Sequence, residues 1–112
     1  MSSARTSGGS AGAAAKALRH AVRRSFIHEL IAAAAPIPAS AHADRHGFPL
    51  SSVTYHARLL VSLGVVEVAE TVPRRGGIES RYRLGGPNSR LALAMLPLVD
   101  QISPREQGTP PP

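Results

Sequence analysis

No cysteine occurs anywhere in the 112 residues, which excludes a disulfide framework, a thiolate metal site and a cysteine nucleophile. Lysine is almost as scarce, with Lys16 alone against twelve arginines. No run approaches the ~18 to 20 apolar residues of a membrane span, and the first residues lack the apolar stretch of a signal peptide, so no membrane partner is expected and the expected location is cytoplasmic. The acids are few: Glu29, Asp44, Glu67, Glu70, Glu79, Asp100 and Glu106. They fall on different predicted elements, and no two form an evident general acid and base couple. There is no phosphate-binding GxxxxGK loop and no dinucleotide GxGxxG. Gly8 to Gly12 spells G-x-S-x-G, but a nucleophile elbow needs a strand before its serine and a helix behind it, and this match lies in a Ser, Gly and Ala tail. The expectation is a protein that is not an enzyme and carries no cofactor.

What the chain does have is positive charge, a formal +6 at pH 7 carried almost wholly by guanidinium. Arginine favours planar, bidentate contacts with phosphate and with guanine edges. High-GC coding inflates arginine and alanine whatever the function, so position has to carry the argument. The length suits one domain. Residues 1–12 and 103–112 read as disordered tails, the second holding four of the ten prolines and no large apolar residue. Residues 13–102 remain to fold, a size at which the core is marginal and dimerisation would supplement it.

From Ala13 to Ala35 the residues are strong helix formers, with Leu18, Val22, Phe26 and Leu30 at i, i+4 spacing and Ile27 and Ile31 widening the stripe. One long first helix is expected, ending before Pro36 and Pro38. Ser40 to His46 predicts a short polar helix closed by a left-handed Gly47, with Phe48 plugging the turn and Pro49 opening the next helix. From Ser51 to Gly64, at about 100° per residue, Val53, Ala57, Leu60 and Gly64 share one stripe. Ser51, Thr54, Tyr55, Arg58 and Ser62 share the opposite face. After Gly64 the period becomes two, with Val66 and Val68 and later Tyr82 and Leu84 facing inward, and Arg81 and Arg83 facing away from the core. These strands flank a tip of Arg74, Arg75, Gly76 and Gly77. Beyond Pro87, Leu91, Met95, Leu98 and Ile102 recur at helical spacing with Leu96 and Val99 beside them, and Pro97 should kink or break that helix.

Two helices joined by a few residues around Gly47 have helix-turn-helix spacing. With the basic hairpin after them, the expected fold is mainly α with a small β-hairpin wing: a winged helix-turn-helix over residues 13–86, followed by an amphipathic dimerisation helix over 87–102 that shares its interface with the first helix. The sequence resembles the ArsR-like winged helix-turn-helix regulators over roughly Leu18 to Leu84. The matching pieces are HAVR at 20–23, where the family usually has His-Pro-Leu-Arg, VTYHARLL at 53–60, LGVVE at 63–67 and RGGIESRYRL at 75–84. The resemblance implies a homodimer on double-stranded DNA, with the third helix in the major groove and the wing on the flanking backbone or minor groove. Carried onto matching positions, it makes Ser51, Ser52, Thr54, Tyr55 and Arg58 the readout face and Arg74 and Arg75 the wing contacts. His56 falls at the family's recurrent histidine, at the edge of the apolar stripe, where a structural hydrogen bond is expected rather than a base contact.

Many family members sense metals through a cysteine-containing motif, which this chain lacks. His42 and His46 do have the i, i+4 spacing that metal sites use. They are expected on a solvated polar face with no third ligand, so no metal site is expected. The functional expectation is a sequence-specific repressor acting by operator occupancy. The alternative is a winged helix that docks protein or RNA without operator specificity. A protein-docking helix should show large apolar anchors, whereas Val61 is the only aliphatic side chain expected near the readout face.

Overall fold

A computed structural model describes residues 10–102; of the tails expected at 1–12 and 103–112, residues 1–9 and 103–112 lie outside the described residues. In chain order the elements are α1 (Ala11–Ala17), α2 (Ala21–Ala32), β1 (Ile37–Pro38), α3 (Ala39–His46), α4 (Leu50–Ser62), β2 (Val66–Arg74), β3 (Gly77–Leu84) and α5 (Ser89–Ile102). The strands form one antiparallel sheet in the order β1-β3-β2.

The long first helix is in fact two helices, broken at Leu18 to His20. The last turn of α1 tightens, with the Leu18 N–H donating to the Ala15 carbonyl and the Arg19 N–H to that of Lys16. The carbonyls at this end also accept from the next helix. Arg23 donates from Nε to the Ala17 carbonyl at 3.2 Å and from Nη2 to that of Lys16 at 2.9 Å, and Arg24 donates from Nη1 to the Leu18 carbonyl at 2.6 Å. A helix C-terminus leaves its last carbonyls unpaired and carries partial negative charge, so two guanidinium groups supply both missing donors and opposite charge. His20 caps the start of α2, its Nδ1 accepting from the Val22 N–H at 3.1 Å. At the other end of α1 the Ser10 hydroxyl accepts from the Ala13 N–H, so residues 10–12 belong to a capped helix rather than to a tail.

Helix α2 ends at Ala32, three residues earlier than expected, because Ala33 turns extended. The chain released this way reaches the sheet as β1, pairing Ile37 with Tyr82 and Pro38 with Arg81. The sheet therefore has three strands, not the hairpin alone. Proline cannot donate to a ladder, and β1 is an edge strand, where that is tolerated.

Helices α3 and α4 follow the sequence closely. Gly47 takes the left-handed conformation at φ 71°, and Val53, Ala57 and Leu60 are buried. Pro49 is the cap of α4 rather than its first residue. A Schellman motif closes α4, the Val65 N–H donating to the Leu60 carbonyl and the Gly64 N–H to that of Val61. Gly64, at φ 76°, allows this, and its carbonyl accepts from the Asn88 N–H at 2.8 Å. Strands β2 and β3 pair from Val66↔Leu84 to Arg74↔Gly77 with an irregularity between Val68 and Glu70. Burial fades along β2, so Val66 is core but Val68 is exposed. The core joins Leu18, Phe26, Ile27, Val53, Leu60, Val65 and Tyr82, with the Phe26 and Tyr82 rings edge to face at 5.9 Å.

Helix α5 continues through Pro97 to Ile102 instead of breaking. Its buried residues are Ala92 and Leu96, and the helix packs against α1. Leu91 and Met95 are partly buried against the core, whereas Leu98 and Ile102 are 62% and 80% exposed. Asn88 fastens the start of this helix, bonding the Ser10 N–H and, at 2.7 Å, the Leu63 carbonyl. Part of the expected dimerisation stripe is thus core of the single chain, and the rest is bare.

Candidate nucleic-acid interface

Helix α4 buries one stripe and presents another. Ser51, Tyr55 and Arg58 are exposed, while Ser52 and Thr54 are half-buried. Thr54 and Arg58 line a groove whose far wall is Ile78, Glu79 and Ser80 of β3. Two of the expected readout residues, Thr54 and Arg58, thus share one concave surface with the hairpin, while Ser51, Ser52 and Tyr55 are not among its lining. That surface is less purely polar than expected. Leu50 and Ile78, 52% and 74% exposed, line it as well. Neither follows from a helical wheel that starts at Ser51 or from the basic tip of Arg74 to Gly77.

The hairpin arginines are mostly engaged. Arg74 lies 3.2 Å from Glu79, Arg81 lies 3.1 Å from Glu79 and 3.2 Å from Glu70, and Arg83 lies 2.6 Å from Glu67. Hydrogen bonds from Arg74 and then Arg81 hold the Glu79 carboxyl below its usual range, so it stays ionised and keeps both arginines. Arg81 and Arg83 do point away from the core. Of the two expected wing contacts, Arg74 is tethered and Arg75 makes no ion pair among the described residues. Arg58 makes none either.

His56 has the internal partner expected of it. Its Nδ1 lies 3.1 Å from Arg23 Nη1, and because guanidinium only donates, Nδ1 is the acceptor and the proton sits on Nε2. Burial, then the neighbouring His20 and Arg23, push its pKa down to about 4, so it is neutral near pH 7. Tyr55 packs edge-on against it at 5.1 Å. The polar face of α4 is thus backed through His56 and Arg23 by the carbonyl end of α1.

His42 departs from expectation. It is fully buried rather than solvated, with Nε2 3.2 Å from Ser25 Oγ and Nδ1 bonded to Glu29. Burial lowers its pKa, opposed by the bond to Glu29. Glu29 approaches from α2 and also lies near Arg45 and His46. The His42 and His46 spacing was visible in the sequence, but the third group was not.

Among the described residues no helix is long and apolar enough to cross a membrane. No family model, curated protein or solved structure matches the chain, so its functional reading rests on these side chains and their arrangement.

Proposed function

We propose that the chain is a winged helix-turn-helix transcription regulator of the ArsR-like type, a non-enzymatic homodimer that binds duplex DNA sequence-specifically and represses by occupying its operator. In this reading α4 is the recognition helix and β2–β3 the wing. The order α2-β1-α3-α4-β2-β3, with β1 on the outer side of β3, supports it. The observation that carries it is Arg58, exposed and without an ion pair among the described residues, on the polar face of α4 beside Thr54 and the hairpin groove. Arg58, Thr54 and Tyr55 read base edges, and Arg75 contacts phosphate, with Arg74 joining it when Glu79 lets go. Leu98 and Ile102 supply the bare part of a dimer contact.

Binding to random duplex DNA over a series of salt concentrations tests this reading. Log affinity should fall linearly with log salt, by about 0.9 for each phosphate neutralised; a flat response contradicts it. The substitutions Leu98→Asp and Ile102→Asp together should leave the chain folded and monomeric in light scattering, and should weaken operator binding more than random binding. The exposed Leu50 and Ile78 favour a second reading, protein docking through the same groove. Under that reading Leu50→Ser with Ile78→Ser abolishes binding to a protein partner while duplex binding is never salt-dependent.

A further inference from the structure

We propose that Glu29, His42 and His46 form a binding site for a borderline divalent cation of the zinc type, held between α2 and α3. The proposal is independent of DNA binding, since none of its residues lies on the α4 face. His42 and His46 stand one turn apart with ring centroids at 4.2 Å, and Glu29 Oε1 bonds His42 Nδ1 and lies 3.6 Å from His46 Nε2. One donor atom from each of the three residues falls within 4.8 Å of the others. Tetrahedral zinc, with bonds of about 2.0–2.2 Å to nitrogen and oxygen, places neighbouring ligand atoms about 3.4 Å apart, so small side-chain rotations close the shell.

A second observation points the same way. The Glu29 side chain is nine-tenths buried, and its Oε2 is a buried oxygen with no hydrogen bond. The charge nearest that oxygen is Arg45, whose Nη1 lies 3.1 Å away on a largely exposed side chain free to swing aside. A divalent ion would take over that neutralising role at bonding distance. Ser25 sits on the far ring nitrogen of His42, as partners outside a metal shell do when they fix a ligand's orientation. A surface depression lined by Ser25, His28, Glu29, Ala32, Arg45 and His46 gives an entry path and, once Arg45 swings aside, room for water as fourth ligand. Two imidazoles and one carboxylate suit zinc and its neighbours, whereas magnesium and calcium take oxygen ligands.

The test uses the full chain, stripped with a chelator and titrated with Co²⁺ as a spectroscopic probe and with Zn²⁺ in competition. The expected result is one ion per chain, tetrahedral cobalt bands that zinc displaces, a higher unfolding temperature with zinc, and no response to Mg²⁺. His46→Ala, at the exposed edge of the site, should keep the fold by circular dichroism and lose about 100-fold or more in affinity. Ser25→Ala should lose about 10-fold, and His28→Ala should bind as the native chain does. The proposal is overturned if saturating zinc neither displaces bound cobalt nor shifts unfolding. It is equally overturned if His46→Ala binds like the native chain, or if His28→Ala loses as much as His46→Ala, which would put the ion elsewhere.

Discussion

The α1–α2 junction and the β2–β3 hairpin are both rich in arginine, yet the two regions use it in opposite ways. At the junction Arg23 and Arg24 are buried and spend their donors on the carbonyls of Lys16, Ala17 and Leu18. On the hairpin Arg74, Arg81 and Arg83 are solvated and held by Glu79, Glu70 and Glu67. The first set builds the fold, and the second largely cancels its own field. A formal charge of +6 therefore overstates the positive field these regions present, and under the proposed function the contact with DNA falls to Arg58 on the groove and Arg75 at the hairpin tip.

The contrast is broken most sharply at the junction. Arg23→Ala leaves the Ala17 carbonyl and His56 Nδ1 without their donor in a buried setting, where each orphaned group costs about 1–3 kcal/mol, and takes a second donor from the Lys16 carbonyl, which keeps the Arg19 N–H. A loss of about 3–5 kcal/mol in urea unfolding is expected, with Arg23→Lys restoring only part because ammonium cannot reach three acceptors in one plane. An effect below about 1 kcal/mol, the range of a surface ion pair, would show that the junction does not depend on it.

The next effect is a pH dependence from the same cluster. His56 has a folded pKa of about 4 against an ordinary 6.5, so the unfolded chain binds its proton more readily. Its contribution is fully present above about pH 6.5 and is lost as pH falls toward 4, by about 3 kcal/mol. His20 and Arg23 face the ring as the charges that resist protonation. His56→Gln should flatten that part of the stability profile measured by unfolding from pH 7 to 4. Parallel profiles for the variant and the native chain would contradict the assignment.

On the hairpin the stability effects should be small. Arg83→Ala, which removes an exposed pair with Glu67, should cost about 1 kcal/mol or less. The interesting readout there is binding: Glu79→Gln frees Arg74 and should strengthen random-duplex affinity, while Arg75→Ala should reduce the salt slope by about 0.9. Arg74→Ala should change less than Arg75→Ala. The reverse order would mean that Glu79 releases Arg74 fully on DNA.

What the sequence made legible was local. Gly47, the Val53, Ala57 and Leu60 stripe and the Arg74 to Gly77 tip needed only periodicity and turn chemistry. The break at Leu18 to His20 did not show, because every residue from Ala13 to Leu18 favours helix and the donors that end α1 sit on α2. Ala21 held a cue, since it stands where the resembled family usually has proline, a residue that favours the first position of a helix. Strand β1 was hidden because a two-residue strand, Ile37 and Pro38 just after Pro36, carries no pattern, and its partners Tyr82 and Arg81 are distant in sequence. His42 was misplaced for the same reason: Glu29, which makes its burial tolerable, comes from another helix. On the candidate interface the polar residues were legible from the wheel, while the tethering of Arg74 and the exposure of Leu50 and Ile78 depended on cross-strand and groove geometry.

The most direct test of the central claim is the paired affinity of the native chain and Arg58→Ala for a selected duplex and for random duplex at one salt concentration. The account predicts that Arg58→Ala loses about 1–3 kcal/mol on the selected site and little on random DNA, collapsing the ratio between them. Equal losses on both, or an unchanged ratio, would contradict α4 as the element that reads sequence.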